Sequence, residues 1–382
     1  MASPTATVGM VGAGQLARMT HAAAIGLGVR LRVLAAAADD AAARVNPSTV
    51  VDDWGSLEAL RAFAAGCDVV TFDHEVLDPA HLAALVDEGV ALAPPPAAKR
   101  FAQDKLHQRR GLAAAGLAVP AFAEVGERGH VAAFAEAHGW PAVLKATRGG
   151  YDGRGVWLVD ADDVAAVWGE AVRAGQLVVE AHVPVATELA VLVARTAAGD
   201  TAVYPVVETV QRDGICVETL APARVEADVA RRAGELGRQV AEAVGAVGVC
   251  AVELFATSGG ELVVNELALR PHNSGHWSIE GAVTSQFANH LRAVLGWPLG
   301  ATEPTGAAVA TVNLLGPADG SDPAQRLPRA LEVADAHVHL YGKAARPGRK
   351  LGHVTVVGRD HDAALTRARR AAATLHGQRV PA

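Results

Sequence analysis

Several stretches of this sequence concentrate the side chains and glycines that chemistry on phosphates requires. Lys145 ends an apolar run and is followed by Gly149-Gly150-Tyr151-Asp152-Gly153-Arg154-Gly155, four glycines in seven residues. Such a loop gives up order that a plain turn would keep, and it leaves backbone N–H groups free to close over phosphate oxygens. It predicts a mobile phosphate lid with Tyr151, Asp152 and Arg154 at its tip, where a guanidinium holds an anion through paired hydrogen bonds. The Walker pattern is absent, because the lysine precedes the glycines and no Gly-Lys-Ser or Gly-Lys-Thr follows.

Glu253 lies within the apolar run from Gly248 to Phe255, and Glu266 follows Asn265 at the end of the next strand-like run. If the two strands pair around Ser258-Gly259-Gly260, both carboxylates point the same way. Mg²⁺ takes one or two carboxylates together with nucleotide phosphates, which such a pair would supply. Next comes Arg270-Pro271-His272-Asn273-Ser274-Gly275-His276-Trp277, a density of donors typical of a loop that reads a polar metabolite. Zinc is the alternative for His272 and His276, but Pro271, Ser274 and Gly275 oppose a helix and no third soft ligand is evident. Anion or sugar recognition ranks above it. Tyr341-Gly342-Lys343-Ala344-Ala345-Arg346-Pro347-Gly348-Arg349-Lys350 packs four cations into a Gly/Pro loop of an acidic chain, a local reversal of sign that a phosphorylated substrate explains. Gly12-Ala13-Gly14-Gln15-Leu16-Ala17, placed after a strand and before a helix, makes phosphate binding plausible. A dinucleotide would also want an acidic residue about 20 positions on, and Asp39 and Asp40 lie slightly beyond that.

The elements that position these residues follow from hydrophobic periodicity. Strands at Thr7–Val11, Val29–Leu34 and Asp68–Phe72 alternate with helices ending near Gly26 and spanning Leu57–Ala65, the pattern of a doubly wound parallel sheet. After Pro94-Pro95-Pro96 one helix is expected from Ala97 to Ala115. Short strands at Ala142–Ala146 and Val156–Val159, with a helix at Val164–Arg173, predict a small α+β unit. Strands at Leu189–Ala194, Ala202–Glu208, Val249–Phe255 and Glu261–Glu266 around a helix at Ala227–Val244 predict a larger mixed domain. Asp362–Leu375 is an Arg-studded helix whose basic run reads as a solvated face rather than a binding patch.

The chain has 382 residues, 51% of them hydrophobic and 4% aromatic, enough for two or three cores. No apolar stretch reaches the roughly 18 residues of a spanning helix. The net charge of −7 opposes a general nucleic-acid binder. Cys67, Cys216 and Cys250 have no metal-type spacing and read as small buried hydrophobes, and the N-terminus lacks a secretory pattern, so a cytoplasmic compartment is expected.

In this order the motifs resemble the ATP-grasp superfamily and, within it, the N5-carboxyaminoimidazole ribonucleotide synthetase family, over nearly the whole chain. The resemblance rests on GAGQLARM at Gly12–Met19, TFDHE at Thr71–Glu75, GGYDGRG at Gly149–Gly155, NELALRPHNSGHW at Asn265–Trp277 and YGKAARPGRKLGH at Tyr341–His353. It implies a three-domain ATP-grasp architecture, α/β and α+β. An N-terminal doubly wound parallel sheet would occupy residues 1–110, a small glycine-rich lid domain 111–185, and a larger mixed domain with a substrate-binding tail 186–382. The implied reaction joins ATP, bicarbonate and 5-aminoimidazole ribonucleotide through carboxyphosphate, in purine biosynthesis, in a homodimer with possible coupling to the downstream mutase.

By the same resemblance, Arg100, Lys145, Gly149, Gly150, Gly153 and Gly155 belong to the nucleotide site, with Glu180, Ala181, His182, Val183, Glu188, Asn265 and Glu266. Glu253 and Glu266 would hold Mg²⁺. Gly14, Gln15, Glu75, His272, Asn273 and Ser274 would receive the ribonucleotide, with Arg346, Arg349 and Lys350. Tyr151, Asp152, Arg154, Arg270 and Lys343 would stand nearest the reacting atoms. Leu269 replaces a usual proline, Ala13 and Ala17 replace common glycines, and Asp73 replaces a frequent Glu, changes of loop geometry rather than of reaction class. The alternatives are another ATP-grasp ligase, such as a formate-dependent glycinamide ribonucleotide transformylase, a nicotinamide-dependent oxidoreductase built on Gly12–Ala17, and a non-catalytic nucleotide-binding module.

Overall fold

The structure is a computed structural model that describes residues 5–150 and 153–378. The first unit is a parallel four-stranded sheet in the order Thr49–Val51, Arg30–Ala35, Thr7–Val11, Val69–Phe72. In its inner strands Val8, Met10, Val33 and Leu34 are fully buried, as parallel strands covered by helices require, while Arg30 and Arg32 mark one end. The first strand turns at Gly12, whose φ of +98° suits glycine, into helix Gln15–Leu27.

The single helix expected over Ala97–Ala115 is broken into Pro96–Gln103 and Lys105–Ala114. Asp104 is the cause: its backbone is extended, and its carboxylate accepts the His107 N–H at 3.0 Å, capping the second helix. The break turns Lys105 and Arg109 toward the strands that follow.

The small unit is an antiparallel sheet in the order Phe122–Val125, Leu177–Ala181, Ala142–Ala146, Val156–Val159. Helices Arg128–His138 and Val164–Arg173 pack on it through Phe134, Val131, Val164 and Ala171. The largest sheet has nine strands. Its path runs Leu262–Ala268, Gly248–Thr257, Val185–Arg195, Val207–Arg212, Ile215–Ala221, Ala308–Leu315, Lys350–Gly358, Ala336–Leu340, with Thr201–Val203 also paired to Val185–Arg195. The strand expected over Ala202–Glu208 is therefore two strands, interrupted around Pro205, which has no N–H to give a ladder. Helix Ala227–Ala243 covers one face through Ala233, Val240 and Ala241.

Helix Gln286–Val294 joins the first unit to this sheet, burying Phe287, Leu291 and Val294 among Met10, Leu16 and Met19. Its His290 is fully buried; Val249 N–H donates to Nδ1 at 3.1 Å, so Nε2–H faces Thr71 Oγ1 at 2.9 Å. Along the C-terminal helix, His361–Leu375, the arginines lie on the solvated side, and two of them find acidic partners. Arg369 grips Glu218 with two hydrogen bonds of 2.7 Å, and Arg367 pairs with Asp335 at 2.6 Å, while Ala364, Ala368 and Leu375 are buried. Of the cysteines only Cys250 is fully enclosed; Cys67 and Cys216 are half-buried. Among the described residues no helix is long and apolar enough to cross a membrane.

Candidate active site

Lys145 stands at the end of strand Ala142–Ala146, and Glu180 on the neighbouring strand Leu177–Ala181 meets its ammonium at 2.8 Å. The same carboxylate receives Arg109 Nε at 2.8 Å and Nη2 at 3.1 Å. Arg109 Nη2 also donates to the Asn265 carbonyl at 2.6 Å, and Lys145 Nζ reaches Asn265 Oδ1 at 3.4 Å. Burial alone would raise Glu180, but Lys145 and Arg109 override it and hold the acid down to about 2. Lys145 is lowered, chiefly by burial, against the pull of Glu180. Neither Arg109 nor Lys105 was expected from the sequence. Lys105 Nζ lies 2.5 Å from Glu266 Oε1.

Above this floor hangs the glycine hairpin, with Lys145 paired to Val156 in register and Ala146 N–H closing on the Gly155 carbonyl at 2.9 Å. Gly149, Gly153 and Gly155 have φ of +76°, +78° and +71°. A β-carbon on Gly150 would stand 2.6 Å from the Arg154 carbonyl oxygen. The loop conformation thus needs glycine. Arg154 is exposed; Tyr151 and Asp152 lie outside the described residues. Ala181 ends its strand, and His182 and Val183 lead into strand Val185–Arg195, which carries Glu188. Arg100 is exposed on helix Pro96–Gln103, close enough to His107 to help lower its pKa, after the larger effect of burial.

Glu253 and Glu266 face each other across paired strands, as the turn at Ser258–Gly260 led us to expect. Burial, and then the charges of Glu266 and Glu188, raise Glu253 to about 7. Burial would raise Glu266 too, but Lys105 holds it below the ordinary carboxylate range. This donor set fits a divalent cation that shares its ligands with phosphate. Among the described residues no group of three His, Cys, Asp or Glu could hold a metal unaided. Two carboxylates crowded enough to resist joint ionisation would welcome one.

A second buried pair joins helix Pro96–Gln103 to the segment that follows strand Val69–Phe72. Lys99, with no exposure at all, binds Glu75 at 2.6 Å and the His74 carbonyl at 2.9 Å. Glu75 turns its other oxygen to Leu269 N–H at 3.4 Å and Arg270 Nε at 3.6 Å. Burial opposes ionisation of Glu75, and Lys99 with Arg270 overcomes it. His272 Nδ1 meets Ser274 Oγ at 2.9 Å, and Nε2 lies 3.5 Å from Glu253 Oε1. Burial, then Arg270 and Lys350, lower His272 to about 3, so this contact joins a neutral imidazole to the carboxylate. The Asn273 amide is buried with neither polar atom partnered among the described residues. Lys343 reaches across to Gln15. Arg346 and Arg349 are exposed in the loop that Lys350 closes.

The Gly12–Ala17 turn is not the phosphate cradle its glycines suggest. Gly14 N–H donates to the Asp73 carboxylate, and a β-carbon on Gly14 would stand 2.6 Å from that oxygen. A phosphate there would meet a carboxylate in its place, which removes the dinucleotide reading.

The three units, the glycine lid and the paired carboxylates define an ATP-grasp protein. Residues 110–287 match the model of the ATP-grasp domain, 5–103 that of the ribonucleotide synthetase preATP-grasp domain, and 309–367 that of the phosphoribosylaminoimidazole carboxylase C-terminal domain. The N5-carboxyaminoimidazole ribonucleotide synthase of Mycobacterium tuberculosis H37Rv is 50% identical over 380 residues, covering 97% of this chain and 88% of that one. The carboxyaminoimidazole ribonucleotide synthase of Aspergillus clavatus complexed with ATP superposes with a TM-score of 0.90 at 35% identity, over 98% of this chain and 99% of that one. Its complex with ADP and 5-aminoimidazole ribonucleotide gives 0.89 at 34% identity, over 97% and 98%. The chain belongs to the N5-carboxyaminoimidazole ribonucleotide synthase family.

Proposed function

We infer that this chain is a ligase that uses ATP to carboxylate 5-aminoimidazole ribonucleotide on its exocyclic amine, giving N5-carboxyaminoimidazole ribonucleotide, ADP and phosphate in purine biosynthesis. The observation that carries the residue assignment is the contact of His272 with Glu253, which sets the acceptor loop against the carboxylate pair.

Lys145, the hairpin Gly149–Gly155, Arg100, residues 181–183, Glu188 and Asn265 would hold the nucleotide, with Arg109 fixing Glu180 beneath it. Glu253 and Glu266 would hold Mg²⁺, whose chemistry is to neutralise charge on the transferring phosphoryl group. Bicarbonate takes the γ-phosphoryl group to become carboxyphosphate; the amine then bonds to its carboxyl carbon, or to CO₂ released from it, and phosphate leaves. The protein positions these groups and excludes water. The supports for the ribonucleotide are Glu75, held ionised by Lys99, the loop Arg270–Ser274, and Gln15 with Lys343. Gly14 shapes the wall beside them, and Arg346, Arg349 and Lys350 supply positive charge for the phosphate. Tyr151, Asp152 and Arg154 belong to the lid that would close over both substrates. On the resemblance alone, we place the enzyme in the cytoplasm as a homodimer that hands its product to the mutase that follows, with domains at 1–110, 111–185 and 186–382.

Release of ADP measured with each substrate omitted in turn tests this reading. Rapid release only when ATP, bicarbonate and the ribonucleotide are all present is expected. Release that ignores the ribonucleotide, or that formate supports in place of bicarbonate, would overturn it.

A further inference from the structure

Between the loop Arg270–Trp277 and the loop Tyr341–Lys350 lies a buried column of polar side chains to which the reaction gives no part. Gln286 opens helix Gln286–Val294 and is fully buried. It clasps the backbone of His272 from both sides: Oε1 accepts the His272 N–H at 2.8 Å, and Nε2 donates to the His272 carbonyl at 2.8 Å. The remaining amide hydrogen goes to His276 Nδ1 at 3.1 Å, which leaves the His276 proton on Nε2. The His276 ring stacks on His353, with centroids 5.0 Å apart and planes at 28°. His353 stacks on His339, its partner across the strand pair, at 4.6 Å and 20°. His339 ends on Glu280 at 2.6 Å. Tyr341 OH and His353 Nδ1 share a hydrogen bond at 2.8 Å, and Tyr341 stands two residues before Lys343, which reaches Gln15.

The Gln286 amide is the fixed point of the column, with its oxygen and both amide hydrogens each given one partner. The middle of the column is neutral, since burial holds His276 and His353 far below their ordinary range and keeps Tyr341 protonated. Nor is it the arrangement that stability alone would choose. His276 Nε2 and His353 Nε2 are buried with no partner among the described residues, and apolar rings of the same shape would avoid that penalty. What the polar column does that an apolar filling would not is fix two loops in one register: His272 at one end, through its own N–H and C=O, and the segment entering Gly342–Lys343 at the other.

We propose that Gln286, His276, His353 and Tyr341 act as one positioning unit that sets the distance between the His272–Ser274 loop and the Lys343 loop, and so the seat of the ribonucleotide between them. The proposal rests on reading these loops as the ribonucleotide site, and none of the four is assigned contact with reacting atoms.

Steady-state kinetics of the full chain test it with Tyr341→Phe, which removes one hydroxyl and keeps the ring, with Gln286→Glu, and with the double variant. Each single change is expected to raise KM for the ribonucleotide by roughly 5- to 30-fold, the weight of one buried hydrogen bond, with KM for ATP within about twofold. Because both changes break the same column, the double variant should be no more than about threefold worse than the worse single one. A ribonucleotide KM within twofold of the parent in Tyr341→Phe would overturn the proposal, even if its thermal midpoint fell, because that result describes packing alone. So would a parallel rise in KM for ATP, or losses that multiply in the double variant. Should Gln286→Glu not fold, Tyr341→Phe decides alone. A parent without ribonucleotide-dependent turnover would overturn the site reading as well, a result distinguishable from failure of the column by itself.

Discussion

Arg109 places two nitrogens on the Glu180 carboxylate, at 2.8 and 3.1 Å, while Lys145 takes the same carboxylate at 2.8 Å from the strand beneath the lid. Three charged groups from a helix and two strands are thereby locked together with almost no access to water.

Breaking that lock from one side leaves a buried carboxylate with one cation and fewer hydrogen bonds. Arg109→Met is expected to lower stability by about 3–5 kcal/mol, as removal of one partner from a buried pair does. It should also raise KM for ATP, because Glu180 would then be held by Lys145 alone and would draw that ammonium more strongly to itself. Urea unfolding together with an ATP titration checks both effects. Unchanged stability would mean that Glu180 is satisfied without the guanidinium.

Glu266→Gln keeps the shape of the side chain and removes its charge. Turnover should fall by at least about 100-fold, the scale of losing a preorganised electrostatic group. The thermal midpoint without nucleotide should stay within a few degrees. Magnesium titration of the residual activity should show a raised requirement; full activity at the parental magnesium concentration would remove Glu266 from the metal site.

On the proposed assignment Lys99 supports the ribonucleotide through Glu75. In Lys99→Met the Glu75 carboxyl, freed from its strongest cation, should rise in pKa. Ribonucleotide KM should rise by roughly 10-fold or more, as expected for a lost charge-assisted hydrogen bond. Raising the pH from 6 to 8 should recover part of the loss by ionising Glu75 again. Kinetics across that range decide it: a loss independent of pH would show that Lys99 works through packing.

The buried imidazoles make stability depend on pH with a definite sign. His290 and His272 are held down to about 3, mainly by burial, so the folded chain keeps them neutral while the unfolded chain protonates them below about 6.5. The unfolded state therefore binds more protons between these values, and stability falls as pH falls through that window, by up to about 1.4 kcal/mol per pH unit for each such group. Urea midpoints at pH 7.5, 6 and 5 should decline steadily. His290→Gln should start lower and decline less steeply. An equal slope in the variant would show that His290 does not contribute.

The glycine hairpin was legible because glycine clusters and a lone strand-end lysine are local signals, and the paired carboxylates because a Ser-Gly-Gly turn fixes register between adjacent strands. Arg109 and Lys99 were not, because each stands beside another basic residue in an ordinary helix and its partner lies 71 or 24 residues away in the chain. A trace existed: Leu106, Arg109 and Leu112 share one helical face, and a charge on an apolar stripe needs a buried partner. The break at Asp104 was hidden by helix formers on both sides. The Gly12 turn misled because its glycines serve the close approach of Asp73, a purpose that the same residue types cannot distinguish from phosphate binding.

Helix Gln286–Val294 does two jobs within little more than one turn. Gln286 grips the acceptor loop, and His290 stitches Thr71 of the first sheet to Val249 of the largest. The amino-terminal unit is therefore not an interchangeable module. A chimera that grafts in a foreign first hundred residues would have to match this helix too, or the seam and the acceptor loop would slip together.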